Sequence, residues 1–337
     1  MPSRPGPVYG WRRLHEPDPC PRYTVPAMID ITPNPLLGSL GPIEIRWYGI
    51  AYVAAIVGGT WLATREARRR GERTDVILDG LIFLAIAALI GGRLYHVIDQ
   101  WSYYSGHLAQ IVLPPYSGLG VFGGLFTGLL AALWYARRHH LDFWRWADIL
   151  APAILLAQVI GRWGNFANQE LYGPPTTLPW GIAIQCQYRI PQYACPVGAD
   201  PTATLGQHFI PLFLYESLLS LLGVVVMLWL WRRFTARGRL FIAGDVGMLY
   251  FVWYGLERSL LEFFRSGYDW TFFGLGTAQI VGLGAAAAAI AVIVARHRLV
   301  GRRSGPPAPE TDDESRATEV APIESAQPTP AGPPLEA

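Results

Sequence analysis

Three arginines stand inside otherwise apolar stretches: Arg93 in the run Gly91-Gly92-Arg93, Arg162 in GRWGNFANQE, and Arg258 in YGLERSLLEFFR. A charged side chain at the centre of a membrane helix costs about 2.5–3.5 kcal/mol on insertion scales, so such residues usually mark a functional site. Arg162 is followed by Asn165, Asn168, Gln169 and Glu170, and helical spacing puts Arg162, Asn165 and Gln169 on one face, with Gly164 and Gly173 free to bend the chain. A guanidinium fork beside carboxamides suits a phosphate or a glycerol hydroxyl. Arg258, Glu262 and Arg265, four and three residues apart, stack on one helical face and can neutralise one another. The plainer readings are a polar helix cap for the first group and a structural salt-bridge ladder for the second.

The elements that must carry these groups are membrane helices. Of 337 residues, 51% are apolar and only 15% charged, where a soluble domain carries about 25% charged. Seven stretches of 18–23 mostly apolar residues recur, at 46–64, 76–98, 118–136, 146–163, 210–231, 243–262 and 275–295. That is the length a helix needs to cross about 30 Å of hydrocarbon, and backbone polar groups in lipid must be satisfied within the segment. The expectation is an all-α, polytopic bundle of seven transmembrane helices. Gly120, Gly124 and Gly128 form a stripe along the third span, which reads first as a close helix contact and second as a smooth slot for an acyl chain.

All 27 basic residues are arginine, so chemistry that needs a catalytic lysine is excluded. Net charge is +2 with the arginines spread along the chain, which leaves no electrostatic footprint for nucleic acid. The arginines instead crowd alternate connections: Arg65, Arg68, Arg69, Arg70 and Arg73; Arg137, Arg138 and Arg145; Arg232, Arg233, Arg237 and Arg239; and Arg296, Arg298, Arg302 and Arg303. By the positive-inside rule these face the cytoplasm, with the C-terminus. The segments 99–117, 164–209 and 265–274 then face outward, and Arg93, Arg162 and Arg258 lie towards the outer leaflet. Residues 301–337 hold eight Pro and seven acidic residues without an aromatic and read as a disordered cytoplasmic tail, leaving 28–300 as the membrane domain. Residues 1–27 read either as a tolerated outer tail or as a segment upstream of a true start at Met28. Cys20 follows no apolar run. Cys186 and Cys195 share the long outer segment, where a disulfide and two free thiols are both open.

With these residues in view, GRWGNFANQELYG at 161–173 resembles the signature of the bacterial prolipoprotein diacylglyceryl transferases, departing from the usual pattern at Ala167. RWYG at 46–49, GGR at 91–93, GLGVFGG at 118–124, LYE at 214–216, and YG followed by Arg258 and EFFR at 262–265 look like the family's other motifs in the family's order, so the resemblance covers roughly 28–295. It implies transfer of the diacylglyceryl group of phosphatidylglycerol to the lipobox cysteine thiol of a secreted precursor, giving a thioether and glycerol phosphate without a metal or other cofactor, in the bacterial plasma membrane with the active site towards the outer face. Carried over by position, the essential arginines correspond to Arg162 and Arg258. Tyr48, Asn165, Glu170, Gly173, Tyr215, Glu216, Glu262 and Arg265 match other motif residues, and Arg93 closes the GGR motif.

One departure concerns the proton. The family often carries a histidine before the Gly-Gly of the third-span motif, and here Phe122 stands there. His96, one turn after Arg93, is the nearest imidazole by chemistry and is taken as the candidate base, against the structural role more usual for a histidine at a helix end, with the departing phosphate, Glu170 or a preformed thiolate as the other routes. In the expected mechanism Arg162 and Arg258 stabilise the leaving phosphate, Asn165 and Tyr48 orient the headgroup, and Glu170 or Glu262 fixes the guanidinium planes. A lipid transporter or flippase is the alternative that buried charges also fit, but no inverted repeat of short, broken helices is seen. A serine protease would need a motif of the G-x-S-x-G kind, which the sequence lacks.

Overall fold

The computed structural model describes residues 29–41, 43–111, 118–235, 240–265, 271–272 and 274–303. Residues up to Ile293 form one compact unit, and Val294 onward forms a second, whose described part is the end of the last helix. The expectation for 1–27, and that for the tail at 301–337 beyond Arg303, lie outside the described residues, while 301–303 continue the last helix.

In chain order the helices are α1 (Trp47–Arg69), α2 (Val76–Asp99), a four-residue α3 (Trp101–Tyr104), α4 (Val121–Arg138), α5 (Phe143–Ala167), α6 (Leu212–Leu230), α7 (Asp245–Glu262) and α8 (Thr277–Arg303). Seven of these have 18–27 residues and fall on the seven expected spans. Four, namely α2, α5, α6 with the π turn that prolongs it to Thr235, and α8 as far as Leu299, are both long and apolar enough to cross a membrane. The others carry more charge: α7 holds Asp245, Glu257, Arg258 and Glu262, and α1 ends in Arg65, Glu66, Arg68 and Arg69. The protein is therefore a mostly helical, multi-pass membrane protein.

The all-α expectation needs one amendment. Three small antiparallel ladders join the connections: β1 (Leu36–Leu40) with β2 (Ile43–Arg46), β3 (Ile182–Ala183) with β4 (His208–Phe209), and β5 (Thr271–Phe272) with β6 (Leu275–Gly276). They pair backbone groups of the connections and, at Arg46 and Leu275–Gly276, of the first residues of two expected spans.

Helix ends follow from local chemistry. Asp142 accepts from the Trp144 and Arg145 amides at 3.0 and 3.3 Å, so α5 starts at Phe143, ahead of the 146 expected from hydropathy. Helix α5 is the hub, packing on α1, α6 and α7, while α2 pairs with α4. Leu62, Ile149, Leu155, Met227 and Val246 are buried where the hub meets its neighbours. The glycine stripe acts as a helix contact: Gly123 is pressed against the Gly91 carbonyl, a Cβ on Gly124 would stand 3.1 Å from the Ala88 oxygen, and Thr127 donates to the Ala87 carbonyl at 3.0 Å. On the far side, Gln279 of α8 donates to the Ser259 carbonyl of α7 at 3.2 Å, beside a Gly255–Gly282 approach with no room for a side chain.

Candidate functional site

Helix α5 ends, α6 begins and α7 ends at the same edge of the bundle, so three separate motifs converge there. Ser217 donates to the Val159 carbonyl at 3.0 Å and fixes α6 against α5, which sets Glu216 opposite Arg162. Arg162 Nε lies 2.6 Å from Glu216 Oε2, and Arg258 Nη1 donates to Glu216 Oε1 at 2.5 Å. Glu216 is thus the bridge between the two arginines. From Arg258 the chain of charge continues to Glu262 Oε2 at 3.5 Å and on to Arg265 at 4.0 Å.

Both carboxylates are buried, whereas the side chains of Arg162, Arg258 and Arg265 keep 18%, 17% and 27% of their exposure. Carboxylates beneath and guanidinium groups nearer the opening make a layer that presents positive charge outward. Isolated, either carboxylate would be costly at this depth; paired, each holds two guanidinium planes in place. Arg162, Arg258, Glu216, Glu262 and Arg265 are therefore brought together.

The second group forms at the end of α5. Asn165 Nδ2 donates to Glu170 Oε1 at 2.8 Å, and the Glu170 amide returns a bond to the Asn165 carbonyl at 3.0 Å. Tyr48, at the start of α1, lies against Gly164, where a Cβ would meet its ring at 3.1 Å, and stands within electrostatic reach of Arg162 and Glu170. The expected shared face of Arg162, Asn165 and Gln169 does not extend to Gln169. The helix stops at Ala167, and Gln169, with φ +54°, turns its amide to the Pro33 carbonyl at 3.0 Å and to Gln185 at 3.1 Å. It is buried as a pin between the connection that holds Gln185 and residues 29–34, a role the spacing concealed.

Gly173 is structural: a Cβ there would stand 3.1–3.3 Å from Ile210, Leu212 and the Phe264 carbonyl, where α6 begins and α7 ends. Its neighbour Tyr172 accepts from the Ile190 amide at 2.6 Å, and burial pushes its phenol up from the ordinary tyrosine value. Tyr215 accepts from the Trp180 indole at 2.8 Å. Cys186 and Cys195 are bridged, with Cα atoms 5.5 Å apart, and Arg189 beside them donates to the Ile184 carbonyl and to Gln207. The segment 168–211 is therefore an ordered cover over the ends of α5 and α6.

Two expected residues stand in a different pair of helices. Arg93 of α2 donates to the carbonyls of Gln110, Ile111 and Gly118 at 2.6, 3.1 and 3.3 Å and lies over the Tyr104 ring. His96 meets Tyr104 edge-on, ring centroids 5.9 Å apart, and its imidazole covers Gly118. Among the described residues, His96 makes no hydrogen bond or ring contact with the arginine layer. An apolar hollow of about 460 Å³ opens between α1, α2, α4, α5 and α7, lined by small residues such as Ala55, Gly59, Ala63 and Gly80, and none of the charged layer lines it. No cluster of three metal-ligating side chains occurs among the described residues.

Sequence reasoning missed Glu257 and Asp148, both buried and acidic. Glu257 lies beside Arg258 in the motif, but nothing in the spacing marked it. Asp148 lies in an expected span and could have been found as a charge at membrane depth.

Residues 35–295 match the prolipoprotein diacylglyceryl transferase family. A protein of Bacillus licheniformis named "phosphatidylglycerol--prolipoprotein diacylglyceryl transferase" is 39% identical over 269 residues, covering 80% of this chain and 94% of its own length. Proteins of the same name from Geobacillus kaustophilus and Trichormus variabilis are 37% and 36% identical, each over 76% of this chain and over 90% and 87% of their own.

Proposed function

The chain belongs to the prolipoprotein diacylglyceryl transferase family, and from that premise we propose that it transfers the diacylglyceryl group of phosphatidylglycerol to the lipobox cysteine of a secreted precursor. It is an enzyme of lipoprotein maturation. The observation that carries the site assignment is Glu216 bridging Arg162 and Arg258, because it aligns two guanidinium forks from two helices towards one place.

In the reaction the S–C bond forms at the glycerol carbon as its C–O bond to phosphate breaks, and the electron pair stays on the departing phosphate. Arg162 and Arg258 hold that growing charge, in a layer where low dielectric strengthens their effect. Arg265 and Glu262 extend the layer, while Asn165, Glu170 and Tyr48 orient the headgroup. Gly173, Tyr215 and Glu216 build the walls, and Arg93 anchors the outer connection beside them. The thiol's proton has two kinds of acceptor, the His96 imidazole reaching across from the α2–α4 pair or a carboxylate of the charged layer itself.

We further read all seven long helices as crossing the bacterial plasma membrane, with the charged layer towards the outer face and the arginine-rich ends and C-terminus in the cytoplasm. The alternation of arginine supports this orientation, and the disulfide suits an oxidising exterior. The membrane domain is read as 28–300, and no metal or other cofactor is assigned a role. The lipid and the precursor's signal peptide would enter sideways between helices.

The test incubates the purified protein with phosphatidylglycerol vesicles and a lipobox peptide, and follows peptide mass and released glycerol phosphate. A thioether-linked diacylglyceryl peptide is expected. Lipid moved between leaflets with no thioether formed would replace this reading with the transporter.

A further inference from the structure

Beneath the arginine layer lies a carboxylate that the scheme above does not use. Glu257 is buried at 6% exposure, and its Oε1 accepts from Ser220 Oγ at 2.9 Å. Its Oε2 is buried and accepts no hydrogen bond among the described residues. The Trp253 indole near it donates to the Leu219 carbonyl at 3.2 Å.

The groups that face Glu257 come from three helices: Arg162 of α5, Glu216 and Ser220 of α6, and Trp253 and Tyr250 of its own helix α7. With Glu257 counted, three guanidinium groups, of Arg162, Arg258 and Arg265, face three carboxylates, of Glu216, Glu257 and Glu262. The other two carboxylates each sit within ion-pair distance of two arginines. Glu257 has the Ser220 hydroxyl and the nearby Trp253 indole as its neutral donors, with Oε2 outside hydrogen-bond geometry. A buried carboxylate held by neutral donors costs more to desolvate than a helix-to-helix bond to serine returns. A glutamine would make the same bond at less cost.

We propose that Glu257 is the group that takes the proton of the precursor's thiol. This rests on the proposed transferase reaction and names the acceptor within it. The thiol S–H proton passes to Glu257 Oε2, the thiolate forms the S–C bond as the C–O bond breaks, and the phosphate leaves with the electron pair. The protonated Glu257 then returns its proton to the departing phosphate and is an anion again. The arriving phosphodiester competes with Glu257 for Arg162, so substrate binding itself favours proton uptake by this carboxylate. Total charge within the layer is constant through the step, which a dry site requires.

The experiment compares wild type, Glu257→Gln, Glu257→Asp and His96→Phe for thioether formation across pH with saturating peptide and lipid. Glu257→Gln keeps the bond with Ser220 and should lose about 10²- to 10⁴-fold in kcat, with KM for phosphatidylglycerol little changed and the acid limb of the profile gone. Glu257→Asp should recover part of the rate and the limb, and in His96→Phe the limb should remain whatever that change does to the rate. Wild-type rate and profile in Glu257→Gln, or loss of the limb in His96→Phe alone, overturns the inference and leaves the transferase standing. A wild type that forms no thioether removes the transferase reading and this one with it. Should Glu257→Gln fail to insert, Ser220→Ala decides: removing the donor to Oε1 should displace the acid limb, and an unmoved limb overturns the proposal.

Discussion

The bundle buries ionic groups at both ends, and the two ends use them differently. At the end where α5 and α7 stop and α6 starts, Glu216 and Glu262 are engaged by side chains alone, and the guanidinium groups above them keep part of their surface open. At the opposite end, Glu66, 1% exposed, sits within 3.3–3.7 Å of Arg69, Arg70 and Arg232, and Arg70 stacks 4.0 Å over the Trp231 ring. Close by, both oxygens of Asp148 accept backbone amides, of Gly244 and Gly247, each at 2.8 Å. Those are N-terminal amides of α7 that no helical carbonyl can reach. Glu66, Glu216 and Glu262 thus share one kind of partner, and a count of charges would not tell the ends apart; Asp148 does, because its partners are backbone amides.

That contrast can be broken most directly by exchanging arginine for lysine at each end. An ammonium supplies a point charge where a guanidinium supplies a planar fork. Arg162→Lys and Arg258→Lys should each lower thioether formation by about 10²- to 10³-fold with normal membrane insertion, as when one donor to a developing charge is lost. Near-normal turnover in either would reduce the Arg162–Arg258 layer to the same structural task as the Glu66 cluster. Arg70→Lys, the matching change at the opposite end, should leave turnover of the folded protein within about threefold, since it touches no reacting group.

Next in size is stability. Asp148→Ala strands two buried amides, each worth roughly 1–3 kcal/mol, so the thermal midpoint in detergent should fall clearly while activity per folded molecule holds. An unchanged midpoint would mean that α7 starts without this cap. The outer cover gives a smaller effect. Replacing Cys186 and Cys195 together by serine opens a short ring and should cost no more than about 3 kcal/mol, read as faster proteolysis of residues 174–209 before any global unfolding. The smallest change concerns Gly124: Gly124→Ala must push the Ala88 carbonyl by a few tenths of an ångström, since its Cβ would stand 3.1 Å away. It should lower the midpoint by about 1 kcal/mol equivalent without touching the rate.

Much of this was legible without coordinates. Apolar runs of membrane length between arginine clusters imply their helices, because lipid leaves the backbone no other partner, and the spacing of Arg258, Glu262 and Arg265 implies their ladder. Both are properties of one stretch of chain. The bridge from Arg162 through Glu216 to Arg258 joins residues 54 and 42 positions apart on three helices, and periodicity within a segment carries no information about which helices meet. Motif resemblance placed Glu216 among the site residues without saying what it held.

The remainder was decided where backbone geometry overrides spacing. Gln169 leaves the face of Arg162 because the helix ends two residues earlier and the chain turns left-handed. His96 has the chemistry of a base, yet it packs with Tyr104 because α2 pairs with α4 through their glycines. Residue type and order thus determined what this protein is made to bind and where its helices run. Which carboxylate answers to which cation was left to tertiary packing, because an ion pair across helices exists only once the helices have met.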